Sequence, residues 1–132
     1  MMPLCLATTI GVATVALAGN SFTLAWVHSI ERVRWEETWR VEGGDLVLDT
    51  VRIRGIGAGM EPPPEAVFRN GVWTWHPGTR KDVLKLTRSP YVADYEWCEP
   101  SRGCRPMSII LSSDGGVTEV RVCAAGHSGA MD

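Results

Sequence analysis

Between Trp26 and Glu42 the chain reads WVHSIERVRWEETWRVE. These seventeen residues hold one of its three histidines, three of its six tryptophans, four glutamates and three arginines. Glu31, Glu36, Glu37 and Glu42, with Glu61 further along, could supply an acid–base pair or oxygen ligands for a hard cation. Their neighbours Arg32, Arg34 and Arg40 argue for ion pairs, which keep carboxylates ionised and unsuited to general acid work. Calcium loops also want Asp and Asn at alternating positions, and this run has neither. His28-Ser29, followed by Glu31, suggests a hydrolytic triad. The chain lacks a G-x-S-x-G elbow, however, and neighbours on a strand point to opposite faces. Such a dipeptide at a strand end reads more simply as a turn, with the Ser29 hydroxyl bonded to backbone. The expectation is therefore no catalytic residue, no metal and no cofactor. A polar, aromatic binding face remains, made of His28, Ser29, Glu31, Trp35, Glu37 and Arg40 and closed by Gly59 and Glu61. Tryptophan and arginine dominate binding hot spots. The plainer reading of the same residues is a solvated, ion-paired strand face.

Cys98 and Cys104 flank a turn containing Pro100 and Gly103, and strands leaving such a turn bring two cysteines within disulfide reach. Zinc sites favour closer spacing and a second ligand pair. Cys5 and Cys123 could form another bridge. Inert thiols and metal ligation stay open as alternatives. Trp73 and Trp75 share one strand face, as core residues or as a platform for a sugar or flat ligand.

These residues need elements to hold them. At 132 residues the chain is one domain, long enough for a core without staples. A net charge of −2 with no basic block argues against nucleic acid, whose phosphates supply most of such affinity. Ser21–Val27 alternates, with Phe22, Leu24 and Trp26 on one face. Glu37, Trp39 and Val41 share a face opposite Thr38 and Arg40. Gly43-Gly44 turns this segment into Asp45–Arg54, whose apolar members are Leu46, Leu48, Val51 and Ile53. Asn70-Gly71 joins Ala66–Arg69 to Val72–His76. Asp82–Arg88, Tyr91–Cys98, Arg105–Leu111 and Val117–Cys123 read as further strands. No stretch offers a capped helix of ten residues. About nine short strands predict an all-β, single-domain antiparallel β-sandwich or small open barrel. The segment GIGAGMEPPP (55–64) is irregular, and lacks the Lys-Ser/Thr of a phosphate loop. A lid over an adjacent sheet face is its simplest role.

Residues 1–18 admit two readings. Leu4 to Ala18 is apolar and ends in a small-x-small pattern acceptable to a signal peptidase. No lysine or arginine precedes it, and Gly19-Asn20 could turn a hairpin between Val12–Ala18 and Ser21–Val27, which favours strands. The run is too short for a comfortable transmembrane helix. A signal, or bridged cysteines, would place the protein in the cell envelope or periplasm; otherwise it is cytoplasmic. The small, polar residues 124–132 read as a disordered tail.

FTLAWVHSIERVRWEETWRVEGGDLVL, GAGMEPPPEA and NGVWTWHP together resemble a bacterial family, domain of unknown function 1850, from about Phe22 to Arg105. Its most specific parts are Phe22, Thr23, Leu24, Trp26, His28, Ser29 and Glu31, and the run Gly57 to Pro63. Members often carry a start like Leu4-Cys5-Leu6 and a cysteine pair like Cys98 and Cys104. Val27 stands where the family has threonine, and Thr38 where it has aspartate, which removes a carboxylate. The resemblance implies association with tripartite ATP-independent periplasmic (TRAP-type) transporters and no assigned catalytic residue. The expected function is a non-enzymatic accessory or binding module, with the transporter's membrane subunit or solute-binding protein as partner. The alternatives are an envelope sensor of a small ligand or metal ion and, last, a hydrolase using His28.

Overall fold

A computed structural model of the chain describes residues 2–28, 32–55 and 62–123. Ser29, Glu31, Gly59, Glu61 and the tail from Ala124 lie outside the described residues.

Hydrophobic alternation builds two antiparallel sheets. The smaller contains β1 (Met2–Ala7), β2 (Val12–Leu17), β9 (Leu84–Thr87) and β12 (Val117–Val122), in the order β2-β1-β12-β9. The larger contains β3 (Ser21–Val27), β4 (Arg34–Glu42), β5 (Asp45–Arg54), β6 (Val67–Arg69), β7 (Val72–Trp75), β10 (Glu96–Glu99) and β11 (Gly103–Pro106). Their order is β11-β10-β3-β4-β5-β7-β6, and β8 (Arg80–Lys81) pairs with β5 off this path. The fold is an all-β antiparallel sandwich rather than a closed barrel. Among the described residues no helix is long and apolar enough to cross a membrane.

The core lies where the sheets meet. Leu4, Leu6, Leu17 and Val120 from the smaller sheet are fully buried in one cluster with Phe22, Leu24, Leu46 and Trp97 from the larger. Phe22 stacks on Trp97 with ring centroids 4.3 Å apart and planes 3° from parallel. Aromatic pairs of this kind contribute roughly 0.5–1.5 kcal/mol beyond their buried area. Two disulfides reinforce the sandwich. Cys98–Cys104 joins the paired strands β10 and β11, and Cys5–Cys123 ties β1 to the residue after β12.

The structure departs from the sequence reading at four places. The turn at Gly19-Asn20 does not close a hairpin: β2 pairs with β1, whereas β3 pairs with β4 and β10. The chain crosses there from one sheet to the other, and alternation alone cannot say which strand is the neighbour. The alternation of Asp45–Arg54 also slips. Thr38 faces Thr50 but Trp39 faces Leu48, so Asp49 is an extra residue in β5. Such a bulge changes which side chains face the core, and here it lets Leu46, Leu48, Val51 and Ile53 all be buried despite their broken spacing. Arg88 and residues 91–95, expected in strands, belong with Ser89-Pro90 to the loop that connects β9 to β10. Arg105–Leu111 is not one strand, because β11 ends at Pro106 and a single helical turn, α1 (Met107–Ile110), follows.

Candidate functional site

Strand register decides which chemistry-bearing side chains meet. Across β3, β4, β5, β7 and β6 runs one row of paired positions: Trp26, Trp35, Ile53, Trp73 and Phe68. Directly paired residues point the same way. The next row on that face is Trp97, Leu24, Glu37, Val51 and Trp75. Ile53, Val51, Leu24 and Trp97 are buried, so this is the inner face, and Glu37 is a carboxylate set into it.

Glu36 and Glu37 are neighbours with opposite fates. Glu36 points outward, where Arg34 Nε donates to Oε2 at 2.9 Å and Arg54 Nε at 3.3 Å. Burial pushes its pKa up, but these arginine hydrogen bonds outweigh that and hold it below the ordinary carboxylate value. Glu42 is likewise lowered, by Arg40 first and then Arg80. Among the described residues Glu37 has no such partner. Burial pushes its pKa above the ordinary value, and the one hydrogen bond opposing this comes from Trp39, whose Nε1 donates to Oε1 at 3.3 Å. The arginines thus keep the outward glutamates ionised and leave Glu37 alone.

The smaller sheet ends at its edge strand β9, and there the inner face of β3 and β4 continues past it. A groove of about 760 Å³ opens at this place, lined by Trp26, Glu37 and Trp39 on one side and by Leu84, Leu86 and Glu119 on the other. Tyr95, from the loop before β10, completes the wall. Trp26 and Tyr95 also line a second cavity of about 220 Å³, reaching His28, Arg88 and Asp94. Their rings meet at 67° with centroids 5.4 Å apart, and Trp35 stacks on the Trp26 ring at 6.0 Å. Burial raises the pKa of the Tyr95 phenol, and the carboxylates of Glu37 and Asp94 raise it further.

Arg88 anchors the loop that carries Tyr95. Its fully buried guanidinium grips Asp94 with two hydrogen bonds, Nε to Oδ1 at 2.9 Å and Nη2 to Oδ2 at 2.7 Å. Nη1 donates to Thr118 Oγ1 at 3.1 Å, which fixes the loop to β12. Burial pushes the pKa of Asp94 up, but the hydrogen bonds from Arg88 and the Tyr95 backbone pull it below its ordinary value.

Of the eight residues expected on the functional surface, His28, Trp35 and Glu37 come together. The His28 ring lies 6.3 Å from that of Trp35, and Trp35 and Glu37 stand two residues apart on the inner face of β4. Arg40 does not join them. It projects from the opposite face, bonded to Asp49 at 2.6 Å and Glu42 at 3.2 Å. Ser29, Glu31, Gly59 and Glu61 lie outside the described residues, and with Ser29 and Glu31 go the partners a His28-based triad would need. Tyr95, Trp39 and Trp26 were not among the residues expected on the binding face. Trp26 and Trp39 share the inward alternation of Glu37 and could have been found by it. Tyr95 arrives through long-range pairing of β10 with β3, for which no local signal exists.

Glu96 stands beside Cys98 and Cys104, but the two sulfurs are bonded to each other and offer no thiolate to a metal. Among the described residues, the indole donors Trp35 Nε1 and Trp73 Nε1 are buried with no hydrogen-bond partner there.

The family described as Domain of unknown function (DUF1850) matches residues 22–106, more than half of the chain. The chain belongs to the DUF1850 family. The region it shares with DUF1850 runs from β3 to β11 and includes Trp26, Glu37, Trp39, Tyr95 and the Cys98–Cys104 bridge. The smaller sheet's β1, β2 and β12 lie outside that region. No curated protein and no solved structure matches the chain.

Proposed function

We propose that this DUF1850 protein is a non-enzymatic binding module that takes a small ligand into the groove between its two sheets. The observation that carries this reading is Glu37: a carboxylate placed on the apolar inner face, beside open space, with no arginine or lysine paired to it among the described residues. A half-buried carboxylate without a charged partner costs stability, and a chain rich in arginine elsewhere supplies none here among the described residues. Small-ligand sites are concave clefts in which a few placed polar groups fix the ligand's orientation, and Glu37 stands in such a position beside Trp26, Trp39 and Tyr95.

The module serves a TRAP-type solute transporter of bacteria, in contact with its membrane subunit or its solute-binding protein. Support for that part comes from the family resemblance. Two disulfides suit an oxidising envelope compartment. A free-standing envelope sensor of a small ligand is the second reading, and the same groove would serve it.

A thermal-shift screen of the oxidised protein against a panel of small solutes tests the groove. At least one solute should raise the melting temperature of the wild type, and the rise should vanish in Trp26→Leu. No shift with any solute would contradict the binding reading. Co-purification of the tagged protein with the transporter's membrane subunit or solute-binding protein separates the accessory module from the free-standing sensor.

A further inference from the structure

We infer that the ligand class of this groove is an organic ammonium ion, held by Glu37 with the aromatic rings of Trp26 and Tyr95. The inference rests on the binding reading above and narrows it to one chemistry.

Two features of the groove select for positive charge. The first is Glu37 itself, which spends one oxygen on Trp39 Nε1 and has no cation within ion-pair distance among the described residues. An anionic ligand would be repelled by it, and a neutral ligand would leave its charge uncompensated in an apolar setting. A cation answers both problems.

The second is the corner made by Trp26 and Tyr95. The two rings meet edge to face, at 67° with centroids 5.4 Å apart, and both line the groove. Aromatic faces carry negative quadrupole charge, and a cation within about 6 Å of a ring centroid is attracted to it. Trp39, also in the lining, is itself buried and has its N–H turned to Glu37, so it holds the carboxylate in place.

The rim carries charge of both signs: Asp82 and Glu119 stand with Lys81 and Lys85 around the groove, and Glu119 is paired with Arg121 at 2.5 Å. Lys81 and Lys85 are exposed, with long stems that keep their charge in water. Neither one neutralises Glu37, and the groove stays open to a ligand with one positive head and a short apolar body. Its volume of about 760 Å³ accommodates such a molecule with room to spare.

Isothermal titration calorimetry with four probes tests the assignment. Choline and ethanolamine carry the ammonium; the neutral carbon isostere of choline, with the quaternary nitrogen replaced by carbon, matches its shape without charge; acetate supplies the opposite charge. Choline or ethanolamine should bind, choline about tenfold more tightly than its isostere if it is the favoured head, and acetate should not bind. Glu37→Gln, with its fold checked by circular dichroism, should abolish the preference for charge. Equal affinity of choline and its isostere would overturn the ammonium assignment while leaving a binding groove. No binding of either ammonium probe, with an uncharged solute bound in the broader panel, would do the same. Failure of every probe and every solute would remove both the assignment and the binding reading beneath it.

Discussion

The indole N–H of Trp39 donates to the carboxylate of Glu37 at 3.3 Å, two residues away on the same face of β4. Among the described residues that neutral donor is all that offsets the desolvation of Glu37, and its pKa is raised accordingly. A carboxyl group with a raised folded-state pKa binds protons more readily folded than unfolded. The folded state is therefore favoured below the unfolded pKa, and this advantage is lost as pH rises through the folded value. At neutral pH the ionised Glu37 works against stability. Glu37→Gln keeps an oxygen for Trp39 and removes the charge, so it should melt higher than wild type at pH 7. The difference should shrink towards pH 4. Scanning calorimetry at the two pH values checks this, and a lower melting temperature at pH 7 would count against a desolvated Glu37.

Other carboxylates act in the opposite sense. Glu36, Glu42 and Asp94 have lowered pKa values, and Asp114, bonded by the hydroxyl and backbone of Thr9 and the backbone of Gly116, falls to about 2. Their contribution is present above the unfolded pKa and lost as pH falls through the folded one. Denaturant midpoints should thus drop as pH falls from about 4 towards 2, and Asp114→Asn should flatten the last part of that decline.

Arg88 should be the costliest charge to remove. It is fully buried, and without it Asp94 and Thr118 lose their shared partner. Breaking a buried pair by deleting one member costs about 3–5 kcal/mol. Because Asp94 keeps access to water, Arg88→Met should fall at the lower end, about 3 kcal/mol by urea denaturation. Arg40→Gln, on the exposed outer face, should change stability by less than about 1 kcal/mol and leave ligand binding unaltered.

The two bridges should differ in value. Cys5 and Cys123 are 118 residues apart and Cys98 and Cys104 only 6. A disulfide that closes a longer loop removes more entropy from the unfolded chain. Replacing the first pair by alanine should cost about 4–5 kcal/mol and the second about 2 kcal/mol, measured as loss of unfolding free energy under non-reducing conditions.

Gly55, at the end of β5, has φ of +150°, and a Cβ there would lie 2.7 Å from Val33 Cγ1. Gly55→Ala should cost about 1–3 kcal/mol through backbone strain and that overlap. Gly44→Ala, with nothing within 4 Å, is the matched control.

How much of this was legible in the sequence depends on the range of the interaction. The Asn70-Gly71 turn, with both residues at positive φ (53° and 78°), and the Gly43-Gly44 turn follow from local chemistry. The bulge at Asp49 was also there to be read, since Leu48 and Val51 are three apart and cannot share a face of a regular strand. The same alternation that set Glu37 beside Trp39 set Arg40 opposite, so the two could never have shared one surface. What stayed hidden was non-local: that β2 pairs back to β1, that β9 and β4 would share a groove, and that Tyr95 would line it with Glu37. Those facts depend on which strands meet, and residue type does not encode it.

The six indole N–H resonances offer the most direct test of a ligand at Glu37. Titrating choline into the isotope-labelled protein while recording its proton–nitrogen correlation spectrum reads each tryptophan separately. The Trp26 and Trp39 indoles should shift in a saturable way, with Trp97, sealed in the core against Phe22, unmoved. Shifts absent from Trp26 and Trp39, or confined to Trp73 and Trp75 on the far strand β7, would contradict a site between the sheets.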